Sequence, residues 1–228
     1  MSRASRPSAV VIMCGLPASG KTTTAERLHA HAGGVLIRSC DVYQELGISL
    51  PDWVRRTEGF TRDVTAYEQA RDAAYARMLS LLEEHVTAGS RLVIVDAVHG
   101  ESAKRKAVFD LCAAHNLDPL LLWCRCDDRN EIERRLNIRR GRESEPECEA
   151  SDWSVFDHLA RLWEEPAKEG CGSNSVPVLS YDTRLDRPRW LRRGTRSVSE
   201  LIEYALLRRP WTTPRSFPQG HAAGHPER

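Results

Sequence analysis

Residues 15–22 read Gly15-Leu16-Pro17-Ala18-Ser19-Gly20-Lys21-Thr22, and this spacing is suited to holding the phosphates of a nucleoside triphosphate. Glycines at both ends let successive backbone N–H groups turn inward around phosphate oxygens, and a helix starting at the second glycine adds its positive end. Lys21 is placed to reach the β- and γ-phosphates, the Thr22 hydroxyl to ligate Mg²⁺, and Thr23 extends the same turn. The context fits: the apolar run Ala9–Cys14 precedes the loop as a strand buried on both faces, and Thr22 to Ala30 follows as a helix.

Two carboxylates leave apolar runs in the same manner. Asp96 ends Leu92-Val93-Ile94-Val95, where it can hold the water shell of Mg²⁺ or orient a substrate; capping the segment that begins near Ser102 is the alternative role. Asp41 follows Val35-Leu36-Ile37 in Ile37-Arg38-Ser39-Cys40-Asp41. In a parallel sheet the carboxyl ends of the strands face one crevice, so Asp41 is the candidate general base for an acceptor hydroxyl, a role compatible with capping a helix at Val42. Arg135, Arg139, Arg140 and Arg142 cluster at the end of a charged helix and are the candidate lid cations, balanced by Glu131, Glu133 and Glu143. Arg139 and Arg140, at the helix-to-loop junction, are the stronger pair for the charge of a transferring phosphoryl group. His99 reads as incidental, and Trp153, Phe156 and Trp163 as core.

The elements that position these groups alternate between strand and helix. After Ala9–Cys14 and the first helix come a short strand at 35–37, a mixed segment at 42–60, and a long helix from about Arg62 to Ala88 closed by Gly89. Strands are expected at 92–95, 119–126 and 176–181, and helices at 102–115, 130–140, 153–163 and 197–207. This is an α/β, three-layer P-loop NTPase pattern of the nucleotide-kinase type with a five-stranded parallel sheet. Residues 1–8 read as a flexible N-terminus, 9–207 as the kinase domain with a lid around 139–152, and 208–228 as a disordered tail.

Composition narrows the class further. At 228 residues and 41% hydrophobic content the chain suits one sizeable domain, and a net charge of +1 excludes a global basic field. The lysines are Lys21, Lys104, Lys106 and Lys168, which sets Lys21 apart in an arginine-rich chain. Seven cysteines without a Cys-x-x-Cys pair suggest neither a disulfide framework nor zinc, and no stretch near twenty apolar residues suggests a membrane span, so a cytoplasmic protein is expected. A GTPase is disfavoured because Asn-Lys-x-Asp is missing and Asp96-Ala97-Val98-His99 lacks the switch-loop glycine.

Together, Gly-Leu-Pro-Ala-Ser-Gly-Lys-Thr, the Asp after the second strand, Val-Ile-Val-Asp-Ala-x-His, the Arg-Arg lid and Leu-Trp-Glu-Glu-Pro resemble one group of P-loop kinases. It includes the kinase domain of phage polynucleotide kinase, zeta-toxin-like kinases, the phosphoseryl-tRNA kinases and the Elongator-associated ATPases. The resemblance spans roughly residues 9–185. It implies ATP and Mg²⁺ at Lys21 and Thr22, Asp41 as base, Arg139 as lid arginine, and a hydroxyl-bearing acceptor, with RNA, tRNA or a nucleotide first in line. A tRNA-associated ATPase and a toxin-like kinase of a small metabolite are the alternatives. Gln44 stands where relatives often carry a phosphate-binding Arg, which disfavours an acceptor with a 3′-phosphate.

Overall fold

Strand β1 (Ala9–Cys14) buries every one of its side chains. Successive side chains point to opposite faces of a strand. Accordingly Val10, Ile12 and Cys14 enter one apolar cluster, while Ala9, Val11 and Met13 enter another. A strand apolar on both faces must lie in the middle of a covered sheet. The computed structural model describes residues 9–48, 64–140, 153–166 and 176–194, with Ile202 and Leu206. The expected flexible N-terminus at 1–8, the part of the lid at 141–152, the tail at 208–228 and most of the helix expected at 197–207 lie outside the described residues. Ile202 and Leu206 themselves are buried in the cluster that covers the Val11 face.

After β1 come α1 (Lys21–Ala32), β2 (Val35–Arg38), α2 (Ser39–Glu45), α3 (Val64–Thr87), β3 (Leu92–Asp96) and α4 (Ser102–Ala114). They are followed by β4 (Asp118–Arg125), α5 (Arg129–Arg140), α6 (Trp153–Arg161), β5 (Val178–Asp182) and β6 (Arg187–Arg192). The sheet order is β2-β3-β1-β4-β5-β6. The first five strands pair in parallel, as expected, and the order places β1 between β3 and β4. In this register Met13 lies opposite Asp96, and Arg38 lies opposite the same residue from the other side. The carboxyl ends of β1, β2 and β3 therefore open on one crevice.

The sixth strand is an addition to the five-stranded expectation. Arg187–Arg192 pairs antiparallel with β5 at the sheet edge. Its four arginine and proline positions hide an alternation of exposed and half-buried residues, so the pattern becomes visible only once Tyr181 and Leu179 supply a partner. An antiparallel edge on an otherwise parallel sheet is a common arrangement. The long helix ends where Gly89 takes φ 85°, and the N–H groups of Gly89 and Ser90 return to Val86 and His85 carbonyls. Asp128 caps α5 by accepting from the N–H groups of Asn130 (3.0 Å) and Glu131 (3.3 Å).

One cysteine departs from expectation. Cys14, Cys112, Cys124 and Cys126 are free thiols, whereas Cys40 is disulfide-bonded.

Candidate active site

The loop between β1 and α1 is a formed cradle. Gly15 has φ 152°, and a Cβ there would overlap the Cys124 carbonyl oxygen and come within 2.6 Å of Ser19 Oγ, so only glycine fits. Gly20 has φ 88° and lies against the Thr183 side chain. Ala18 is held at φ 59°, a conformation L-residues rarely adopt outside functional turns. Lys21 is buried, and its Nζ donates to the Leu16 carbonyl at 3.0 Å, which stretches the side chain across the mouth of the loop. Ser19 Oγ is buried with no partner, an orphan that a phosphate oxygen inside the cradle would satisfy. Thr22 is half-buried at the start of α1, and Thr23 is exposed.

The floor of the crevice comes from the segment after β3. Asp96 is buried, and the Gly15 N–H donates to the Val98 carbonyl at 3.0 Å, locking this segment onto the cradle. His99, read from sequence as incidental, is instead a buried tie at φ 42°. Its Nδ1 faces the Met13 carbonyl at 2.8 Å, so that nitrogen carries the proton. Its backbone N–H donates to the Tyr75 hydroxyl at 2.9 Å. Arg105 is fully buried and donates to the carbonyls of His99 (2.7 Å), Gly100 (2.8 Å) and Glu164 (2.9 Å). Glu164 in turn accepts from the Ser102 N–H at 2.7 Å. The Leu-Trp-Glu-Glu-Pro segment thus buttresses the loop that carries Asp96.

Burial above all, helped by Arg105 and Lys21, lowers His99 to about 4 against a hydrogen bond to Met13 that pulls the other way. Folding therefore favours the neutral ring. Its stabilising contribution is complete above the ordinary histidine value of about 6.5 and is lost as pH falls from there through about 4. The expected loss across that window is about 3 kcal/mol. Urea midpoints at pH 7 and pH 4.5 check this: His99→Gln should flatten the pH dependence relative to the unsubstituted protein.

Asp41 lies in the first turn of α2 and is exposed. It is chelated by Arg38, with Nη2 to Oδ1 at 2.7 Å and Nε to Oδ2 at 2.8 Å. The hydrogen bond that Arg38 donates to Asp41, against some loss to burial, raises the guanidinium above its ordinary value. Between α2, α3 and the cradle is a cavity of about 50 Å³. Lys21 and Ser39 line it, together with Tyr43, Tyr67, Arg71 and Tyr75. Burial pushes the Tyr43 phenol up to about 12 and raises those of Tyr67 and Tyr75, so all three stay protonated near neutrality. None of these four aromatic and arginine positions was singled out from sequence, although Tyr67, Arg71 and Tyr75 fall at i, i+4 and i+8 on α3 and so share one face.

Among the candidate lid arginines, Arg135 makes the contact to the cradle. Its Nη1 donates to the Ala18 carbonyl and to Thr183 Oγ1, both at 3.0 Å, and its Nε to Glu131 at 2.7 Å. Thr183 Oγ1 donates to the Ser19 carbonyl at 2.7 Å, so the start of the β5–β6 turn also braces the loop. An apolar patch of Ala18, Ile132 and Leu136, backed by Trp153 and Phe156, seats α5 on the cradle. Trp153 and Phe156 are packing residues, as expected, with ring centroids 5.0 Å apart. Arg139 is half-buried one turn beyond Arg135. Arg140 ends α5; its side chain, like Arg142, lies outside the described residues. Arg135→Ala should cost about 1.5–3 kcal/mol, the range for hydrogen bonds to a charged donor, and weaken ATP binding by loosening the loop. Chemical unfolding and an ATP titration on the same variant test both effects.

A cradle between a buried strand and a helix, a buried Asp ending the neighbouring strand, and an arginine-bearing helix folded over the loop define a P-loop protein of the kinase type. A family model described as an AAA domain matches residues 10–162, and the chain belongs to that family. No curated protein matches it. Among solved structures it is similar to Kti12 of Chaetomium thermophilum, determined in complex with ADP-AlF3, at 22% identity and a TM-score of 0.52, covering 76% of this chain and 89% of that one. It is also similar to an unliganded sugar kinase from Janibacter, at 16% identity and a TM-score of 0.51, covering 88% and 93%. A third likeness, to a putative kinase from Chloroflexus aurantiacus, has 17% identity and a TM-score of 0.50, covering 78% and 89%. At these identities the shared property is the fold.

Proposed function

We propose that the protein is an ATP- and Mg²⁺-dependent phosphotransferase that moves the γ-phosphate of ATP onto an acceptor hydroxyl. The observation that carries this reading is the position of Lys21, which spans the cradle mouth and also lines the adjoining cavity. A γ-phosphate held by Lys21 would face this partly open cavity, which an acceptor group could enter. The backbone of residues 15–22 binds the triphosphate, and Lys21 exchanges its bond to Leu16 for phosphate oxygens.

The donor set suits magnesium. Thr22 and Asp96 would hold it, both offering oxygen, and among the described residues no cluster of three or more His, Cys, Asp or Glu competes as a metal site. One carboxylate, a hydroxyl and substrate phosphates are the usual company of Mg²⁺. When bound, the ion would neutralise charge on the phosphates. Asp41 is assigned the proton: as the acceptor oxygen attacks phosphorus and the bond to the β,γ-bridging oxygen breaks, the carboxylate takes the hydroxyl hydrogen and ADP leaves. Its pairing with Arg38 is no obstacle, because at 35% and 49% side-chain exposure such a pair is worth only about 0–1 kcal/mol. Arg139 and Arg140 are assigned to the transferring charge from the lid.

The acceptor suggested by resemblance is a nucleic acid or nucleotide. A small-metabolite acceptor is the second reading, favoured by the cavity's limited volume. Among the described residues no helix is long and apolar enough to cross a membrane, and ATP use points to the cytoplasm. Titrating ATP with and without Mg²⁺ tests the nucleotide part. Binding should strengthen with the metal, and failure to bind ATP under either condition removes the reading.

A further inference from the structure

The wall of the cavity carries a charge pattern that bears on what can enter. Arg71 is 5% exposed, and its Nη2 is shared by Glu68 (2.5 Å) and Glu101 (2.7 Å). His158 Nε2 also reaches Glu68, at 2.6 Å. Arg71 Nε is buried and has no partner. A buried N–H donor without an acceptor is costly and is rarely left so in a native protein. Arg71 lines the cavity, so an oxygen of a bound guest can be the acceptor that its Nε lacks.

That guest should be uncharged where it meets Arg71. Two carboxylates already face the one guanidinium, so local charge is balanced or negative, and a phosphate or carboxylate brought beside it would be repelled by Glu68 and Glu101. Lys21, the other cation lining the cavity, is committed to the nucleotide. The space is also small. A water needs about 10–15 Å³ of such volume, so 50 Å³ holds a few heavy atoms at one end of a guest, whose remainder can extend through the open side. Tyr43, Tyr67 and Tyr75 also line the cavity and make much of its wall apolar, which suits the C–H surface of a sugar ring.

We propose that this cavity is the acceptor subsite and that it receives an uncharged primary alcohol carried on a small ring, the hydroxymethyl end of a free sugar or of a nucleoside's ribose, with Arg71 Nε donating to one of its oxygens. The inference rests on the phosphotransferase reading and narrows its acceptor. The hydroxymethyl oxygen is the nucleophile. Its proton goes to the base, its new bond forms to the γ-phosphorus, and ADP is the leaving group. A ligand already phosphorylated at that end is rejected by the same charge pattern.

The test is equilibrium binding to the full chain, first saturated with Mg²⁺ and β,γ-methylene ATP, of hexoses, pentoses and nucleosides, each paired with its monophosphate. At least one uncharged member should bind tenfold or more tighter than its phosphate, and whether it is a sugar or a nucleoside identifies the source. Glu101→Gln leaves Arg71 less neutralised and should move that ratio about tenfold toward the phosphorylated member. Arg71→Lys keeps the charge and removes the Nε donor; it should raise the acceptor KM about tenfold while the KM for ATP holds. Tighter binding of the monophosphates, or no binding by any member while the ATP analogue binds, overturns the inference and leaves the phosphotransferase reading standing. Failure of the ATP analogue itself to bind removes both.

Discussion

Lys21→Ala is expected to abolish useful phosphate transfer while the protein stays folded. The lysine is buried, yet its one described bond is to the Leu16 carbonyl, and a hydrogen bond from a charged donor contributes about 1.5–3 kcal/mol. Against a typical domain stability of about 5–15 kcal/mol, that loss leaves a native fold. The catalytic loss is larger in consequence. Removing one preorganised donor from the developing charge of a transition state costs about a hundredfold to a thousandfold in rate. The check is kcat/KM for transfer beside a thermal unfolding curve. Near wild-type turnover in a folded variant would mean that the loop at 15–22 does not hold the reacting phosphate.

Asp41→Asn should have a comparable effect by a different route. A general base contributes about a hundredfold to ten-thousandfold in rate, and the amide cannot take a proton. Asn keeps the shape and one acceptor for Arg38, and the exposed pair it replaces is worth little, so the melting temperature should change by a degree or two at most. ATP affinity should be retained, because Asp41 belongs to α2 and not to the cradle. Slow hydrolysis of ATP to water should also survive. Transfer at the full rate would reduce Asp41 to a partner for Arg38, and the buried Asp96 would become the next carboxylate to examine.

The parts of this site that could be read from sequence are those whose cause is local. The apolar run Ala9–Cys14 followed by Gly15 announces a buried strand and a tight turn, because both properties reside in consecutive residues. Asp96 and Asp41 stand out for the same reason, each at the end of an apolar run. Gly89 closes α3 as expected, since a left-handed stop needs only that residue. What escaped depends on partners distant in the chain. His99 is a structural tie because β1 and α3 bring Met13 and Tyr75 to it, 86 and 24 residues away. Arg135 is a cradle clamp because Ala18 and Thr183 lie 117 and 48 residues from it. Strand β6 needed β5 beside it before its alternation meant anything. The Tyr67–Arg71–Tyr75 stripe was the one missed feature with a local signature, a repeat of four on a helix, and apolar patterning of α3 as a core helix concealed it.

The central claim is that the γ-phosphate leaves ATP for a hydroxyl group. Its most direct test is to incubate the full chain with Mg²⁺ and γ-labelled ATP, together with single-stranded RNA, tRNA, DNA, nucleosides, nucleotides and free sugars in separate reactions, and to follow where the label goes. The account predicts that label appears covalently on at least one hydroxyl-bearing acceptor, at a rate that Asp41→Asn lowers by about a hundredfold or more. Label released only as inorganic phosphate with every acceptor, at a rate indifferent to Asp41, would contradict it and leave an ATPase in its place.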